Sequence, residues 1–286
     1  MTGQGSGQGP WGGDASDLLG DGASSAERVA AMGSNLVAFY GAYGRGRGCT
    51  LTSTPAATWF YTGVPSPLFN GVLAIEPEPA AVEDVVAVLR ARIEEHGAPA
   101  LWWLGPGSAP DRLGTLLERH GLRPAGTTPG MAIELAALDP AEPVAAGLIV
   151  RRVSDAEMQV QWARVAATGT GFPEDAVAAL VRLEGTLSDP SYRAQHRYLG
   201  YLDGVPVATS AMVLEAGVAG IYAVATLPAA RRRGIGRSMT VRPLLEARRR
   251  GYRLAVLQSS AAGYAVYQRI GFERVCSFAT YLQSRG

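Results

Sequence analysis

The chain contains no lysine; all 26 of its basic residues are arginine. That excludes a Walker-type phosphate loop, which needs a lysine to reach the phosphates. Cysteine is scarce as well. Cys49 and Cys276 are the only two, far apart and too few for a disulfide framework, which fits a reduced, cytoplasmic protein. The three histidines are scattered and neither cysteine has a metal-type neighbourhood, so no zinc site is expected. Acids and bases balance to a net charge of +1, leaving no global field to draw the chain to nucleic acid or a membrane surface. No run is long and apolar enough to span a bilayer. Residues 1–23 are rich in Gly, Gln and Ser without a basic start or an apolar core. They read as a disordered tail rather than a signal peptide.

What is present is ample core material, 47% hydrophobic residues over 286 positions, enough for two domains. Ser24 and Glu27 offer a capping box for a helix running to about 43. Strands are expected at 49–53, 57–61, 71–75, 100–104 and 131–135. Helices are expected at 80–96, where Val82, Val85, Val86, Leu89 and Ile93 keep helical spacing, and at 111–120. Residues 139–147, with Asp and Pro, read as a linker between a first domain, 24–138, and a second, 148–286. The second half repeats the plan. A strand at 148–153 leads into Ser154-Asp155-Ala156-Glu157, a second capping box, and a helix to 167. A break at 168–173 precedes a helix from 174 to about 187. Strands at 197–202 and 207–213 flank the hairpin signal Asp203-Gly204. Pro243 should kink or end the helix expected at 238–250.

The strongest local signal is Arg231-Arg232-Arg233-Gly234-Ile235-Gly236-Arg237. It follows a strand-like run, Gly220 to Thr226, and opens a helix beginning at Ser238. The first N–H groups of a helix lack intrahelical partners and its dipole favours negative charge, so such a turn is a natural anion site. Gly234 and Gly236 allow a phosphate close to the backbone. The third Gly of the dinucleotide fingerprint is missing. The spacing Arg-x-x-Gly-x-Gly resembles the acetyl-CoA-binding motif of the GNAT N-acetyltransferase superfamily. Val224-Ala225-Thr226-Leu227-Pro228 resembles the family lead-in. The run from Tyr264 through Tyr267 to Gly271-Phe272 resembles its Tyr-x-x-x-Gly-Phe signature. The likeness spans roughly 148 to the C-terminus.

The resemblance implies an α/β (α+β mixed-sheet) fold, acetyl-CoA as co-substrate, no metal, and transfer of an acetyl group to a small-molecule amine by direct attack on the thioester. Backbone N–H groups of Arg232, Arg233, Gly234, Ile235, Gly236 and Arg237 would hold the pyrophosphate, with Arg231 and Ser238 flanking them. Val224, Ala225 and Thr226 would pair with the pantetheine arm, and an N–H near Val224 would face the developing oxyanion. Tyr267 would be the general acid, with Tyr264 beside the cofactor. The general base is open: Glu215 is the leading candidate, with His196, Glu174 and Tyr222 behind it. Residues 168–175 would contact the acceptor, and Trp59, Phe60, Tyr61 and Asn70 either close the pocket or serve as core.

Weak internal similarity makes the two halves look duplicated. His96-Gly97, a strand, then Leu117 and Gly121-Leu122 parallels Gly251, a strand, then Tyr267 and Gly271-Phe272. The first half has Glu76-Pro77-Glu78-Pro79 where the second has its Arg-Gly turn. Two carboxylates there would repel a pyrophosphate, so the chain resembles a tandem-GNAT protein with a degenerate first domain. Such a fusion can act as a monomer or a homodimer. Two other readings use the same scaffold. One is an aminoacyl-tRNA-dependent transferase, which would bring tRNA as partner although the chain lacks a broad basic surface. The other is a non-catalytic acyl-CoA-binding protein.

Overall fold

The computed structural model describes residues 18–20, 22–76, 80–139, 144–187 and 195–285. Most of the expected tail, Pro77, Glu78, Pro79 and part of the expected linker lie outside them. Among the described residues eleven strands form one sheet in the order β1-β2-β3-β4-β11-β5-β10-β9-β8-β7-β6. The strands of the first half are β1 (Thr50–Ser53), β2 (Ala57–Tyr61), β3 (Asn70–Ile75), β4 (Ala100–Leu104) and β5 (Arg123–Glu134). Those of the second are β6 (Ile149–Arg152), β7 (His196–Leu202), β8 (Val205–Glu215), β9 (Val218–Thr226), β10 (Leu254–Gln258) and β11 (Glu273–Gln283). Only β3–β4 and β9–β10 pair in parallel; their neighbours are antiparallel. Each parallel pair needs a crossover, supplied by α2 (Val82–Glu95) and by α6 (Ile235–Arg249).

The two halves exchange their last strands. β5 closes the first half in sequence yet pairs with β10 of the second, and β11 pairs with β4 of the first. β5 and β11 then pair with each other from Arg123↔Leu282 to Ala132↔Glu273. The unit β2-β3-α2-β4-α3-β5 thus repeats as β8-β9-α6-β10-α7-β11, where α3 is Pro110–Arg119 and α7 is Tyr264–Ile270. This is the duplication that the paired His96-Gly97 and Gly121-Leu122 signals suggested.

Helix α1 (Ser25–Gly41) begins with the expected capping box, the Ser24 hydroxyl accepting from the Glu27 N–H and the Glu27 carboxylate from the Ser24 N–H. It lies across the middle of the sheet on one face, beside α4 (Ala156–Thr170) and α5 (Glu174–Glu184). Met32, Leu36, Phe39, Trp162 and Leu180 form the core there. Asp155, rather than Ser154, caps α4 by accepting the Met158 N–H at 2.8 Å. A charged cap also suits the helix dipole. On the opposite face α6 and α7 cover the second half through Met239, Leu244 and Ile270, and α2 and α3 cover the first through Val86, Leu89 and Leu117. Helix α6 runs unbroken through Pro243, which is buried in its interior. Packing along that face outweighs the one hydrogen bond the ring removes.

Asn35 pins α1 to the β8–β9 hairpin. Its amide donates to the carbonyls of Val213, Glu215 and Val218. Gly220 makes room for it, since a Cβ there would lie 1.8 Å from Asn35 Oδ1. A second tie joins the halves. Fully buried Glu184 accepts from Arg197 at 2.8 Å, while Arg197 also donates to the Tyr43 hydroxyl and stacks over Trp162. Burial holds the Glu184 carboxyl up at about 7 against the pull of Arg197. Glu184→Ala removes the buried carboxylate that Arg197 donates to in the interior. It should cost about 3–5 kcal/mol, read as a lower urea midpoint at an unchanged slope.

Candidate acyl-CoA site

β9 and β10 are registered only at Ala219↔Ala255 and Gly220↔Val256. Beyond Gly220 they part, so the edge of β9 from Ile221 to Thr226 that faces β10 has no strand against it. A bulge reshapes β9 in this stretch. Thr209 pairs with Ala225 and Ala211 with Tyr222, so Ser210 alone opposes Ala223 and Val224. Ala223 is left-handed, with φ 48°, and the Thr209 hydroxyl donates to its carbonyl at 2.8 Å. The result is a wedge between two strands with backbone amides along one wall.

The Arg-Gly turn sits at the end of β9 nearest Thr226. Gly234 is the N-cap of α6 with φ 76°, a conformation other residues adopt only with strain. No side chain caps the helix, and its first turn holds no acidic residue. The Ser238 N–H bonds back to the Gly234 carbonyl. The amides of Ile235, Gly236 and Arg237 therefore come before the intrahelical ladder starts. A Cβ on Gly236 would meet no atom within 4 Å. Beside this turn lies a cleft of about 340 Å³, walled by Thr226, Arg231, Arg232 and the two glycines on one side and by Val266 and Arg269 of α7 on the other. Among the described residues no carboxylate lines it. The donor set suits a pyrophosphate: helix-start amides, glycines and arginines, with no lining carboxylate.

Several motif residues at or beside this cleft also serve as braces or core. The Arg231 guanidinium donates to the carbonyls of Thr226 and Gly169, tying the turn to β9 and α4. Ser238 is buried, and its hydroxyl accepts the Ala145 N–H. Ala225 packs toward α4, where a Cβ on Gly169 would approach its methyl to 3.0 Å. Ile235 is a core residue on α6. Arg237 donates to the Arg269 carbonyl and so ties the start of α6 to the end of α7. Arg232 and Arg233 are exposed.

Tyr264 and Tyr267 lie one turn apart on α7, both half-buried. The Tyr267 ring lies against Gly263 and meets Phe272 edge-on at 5.9 Å. Burial pushes its hydroxyl up to about 12, so it keeps its proton at every physiological pH. Gly271, with φ 110°, ends the helix and lets the chain turn into β11.

Of the base candidates, Glu215 and His196 stand away from this group, while Tyr222 borders it with its hydroxyl already committed. Glu215 is exposed at the β8–β9 hairpin and pairs with Val218, roughly 20 Å along the strand from Val224. His196 sits near the far end of α6, 3.6 Å from Glu246 and 3.4 Å from Arg250. Burial and the neighbouring Arg152 and Arg250 lower it to about 4, so it is neutral. The Tyr222 hydroxyl donates to Asn35 and its ring stacks on Phe39. Glu174 is exposed at the start of α5. Trp59, Phe60, Tyr61 and Asn70 belong to the first half's own structure. Phe60 is buried, Tyr61 stacks on His96, Trp59 lies near the same ring, and Asn70 braces the loop from 62 to 66. Sequence gave no signal for the bulge, for Arg231 as a brace, or for the placement of Asn35.

The first half has a cavity in the corresponding place, about 680 Å³ between the end of β3, the start of α2 and α3. Its walls include Glu76 and Glu83 beside Arg112 and Arg119. Glu83 pairs with Arg119 at 2.7 Å, and the first turn of α2 holds Glu83 and Asp84. Carboxylates thus occupy the end of the dipole that α6 leaves open.

Among the described residues no helix is long and apolar enough to cross a membrane, and no cluster of His, Cys, Asp or Glu could hold a metal. Cys49 and Cys276 are unbridged.

Residues 191–275 match the family model described as an acetyltransferase (GNAT) domain. No curated protein matches the chain in sequence. Among solved structures, a GCN5-related N-acetyltransferase from Kribbella flavida aligns at TM-score 0.63 and 23% identity, over 89% of this chain and 96% of that one. A tandem GNAT protein from the clavulanic acid biosynthesis pathway aligns at TM-score 0.58 and 14% identity, over 93% and 96% of the two chains. A conserved protein of unknown function from Staphylococcus epidermidis aligns at TM-score 0.60 and 13% identity, over 82% and 93%. Residues 191–275 thus match a GNAT acetyltransferase domain, and the whole chain has the mixed α/β fold of these structures, a tandem GNAT protein among them.

Proposed function

We propose that the chain is an acetyl-CoA-dependent N-acetyltransferase with one working site, in its second half, and a small-molecule amine as acceptor. The observation that carries this reading is the uncapped, acid-free start of α6 at the mouth of a splayed strand pair, with Gly236 facing open space. Acetyl-CoA, when bound, supplies an activated thioester. The amides of Ile235, Gly236 and Arg237 hold its pyrophosphate, and Arg232 and Arg233 add charge at the rim. The unpaired edge of β9 from Val224 to Thr226 takes the amide arm as an added strand would. The Val224 N–H, at the bulge, donates to the carbonyl oxygen on which negative charge develops.

Transfer forms one N–C bond and breaks one C–S bond. Tyr267 holds the proton that the departing sulfur takes. The acceptor nitrogen gives its own proton to water, since Glu215 stands apart from the wedge and Glu174 is exposed. The first domain, with carboxylates at the start of α2, serves as the partner that exchanges β5 for β11 rather than as a second CoA site. The test is release of CoA thiol from acetyl-CoA in the presence of an amine panel. Amine-dependent release supports the reading; its absence across primary amines, together with transfer from an aminoacyl-tRNA, would replace it.

A further inference from the structure

An unused polar group stands at the lip of the strand splay, on the face away from α6. Along β10, Leu254 and Val256 pack on the α1 face, while Ala255 and Leu257 pack on the α6 face. The two-residue period of a strand therefore turns Gln258, which ends β10, toward α1. Both polar atoms of its carboxamide are buried, and neither has a hydrogen-bond partner among the described residues. A buried amide without partners is costly and rare in native proteins.

Two residues beyond the last β9–β10 pairs, Tyr222 and Gln258 occupy the two lips. Tyr222 is committed to Asn35 and Phe39, whereas Gln258 has no such commitment. Its cross-strand neighbour is Gly130, and the space a side chain would take there is filled by Cys276, Met32 and the Phe278 ring. The Phe278 ring meets Trp103, and Trp103 meets Tyr40. Neither the Trp103 indole N–H nor the Tyr40 hydroxyl has a protein acceptor among the described residues. The surroundings are aromatic and apolar with neutral polar groups, and the charge that reaches them, Arg274 acting on Cys276, is solvent-exposed.

We infer that Gln258 selects the acceptor, which is a primary amine carrying a neutral hydrogen-bonding group on an apolar or aromatic body. The inference rests on the acetyltransferase reading above. The Arg-Gly turn and Tyr267 lie on the α6 face, so the acyl group enters the splay from that side and the amine from the α1 face, past Gln258. The carboxamide both donates and accepts, which matches a carboxamide or hydroxyl on the acceptor. A carboxylate or a second ammonium would have to shed its water against a neutral amide and aromatic rings.

The experiment compares kcat/KM for phenylalaninamide, phenethylamine, phenylalanine and putrescine with acetyl-CoA, in the wild type and in Gln258→Leu and the near-isosteric Gln258→Met. Acetyl-CoA affinity is measured in parallel by calorimetry. With kcat/KM taken per free-base amine, the wild type should favour phenylalaninamide over phenethylamine by about tenfold or more. Both variants should bring that ratio to about one while binding acetyl-CoA as before. The inference is overturned by equal use of the two amines, by preference for phenylalanine or putrescine, by a ratio that survives both variants, or by turnover of none of the four. If the wild type fails to bind acetyl-CoA, it is the acetyltransferase reading itself that falls.

Discussion

Replacing Tyr267 with Phe should lower kcat about 10²-fold and leave the affinity for acetyl-CoA within about twofold. The variant removes one oxygen from a ring whose position is set by Gly263 on one side and Phe272 on the other, so packing is retained. Without the hydroxyl, the departing thiolate has to find its proton in water. The pH profile gives an independent check. An ordinary phenol loses its proton near 10, but burial raises Tyr267 to about 12. The protonated form, the one proposed to act as acid, persists below that value, so wild-type kcat should show no loss from Tyr267 between pH 8 and 10. In Tyr267→Phe the solvent takes over the role and kcat falls at every pH in this range. Equal kcat in the two proteins would remove Tyr267 from the chemistry and leave it as a core aromatic of α7.

The second large effect is expected at Gly236. A Cβ there meets nothing within 4 Å outside its own turn of the helix, so Gly236→Asp should fold as well as the wild type. An acidic residue in the first turn even suits the helix dipole. The same substitution puts a carboxylate where the phosphates of CoA would lie, recreating what Glu83 and Asp84 do at the start of α2. Acetyl-CoA affinity should fall about 100-fold or more, with the melting temperature unchanged or raised. Calorimetry and a thermal melt on the same sample read both quantities. Unaltered affinity would mean that the start of α6 does not hold the phosphates.

Much of this site was legible in the sequence because it is local. The strand, the Arg-Gly turn, α6 and α7 follow one another within a short stretch, and glycines, charge and period mark each boundary. Spacing shows which residues are near one another but does not say where their side chains go. Arg231 and Ser238 lie within the motif, yet the first braces Thr226 and Gly169 and the second holds Ala145. Glu215 stands at a strand end, a place that suits a base, but the register of β8 puts it at the hairpin away from the wedge. The exchange of β5 and β11 was not legible at all. Residues 123–130 carry Pro, Gly and Thr and are exposed over their first part, so they lack the apolar alternation that marks a half-buried strand. Their partners lie some 150 positions away in sequence, and no local pattern specifies such a pairing. Pro243 misled in the opposite sense: one lost hydrogen bond did not end a helix anchored along its length by Met239, Leu244 and Leu245.

The central claim is that one half of this duplicated chain binds acetyl-CoA and the other does not. Calorimetric titration of the wild type with acetyl-CoA tests it most directly. The account predicts saturable binding of one molecule per chain, lost in Gly236→Asp. No binding, or two molecules per chain, would contradict it.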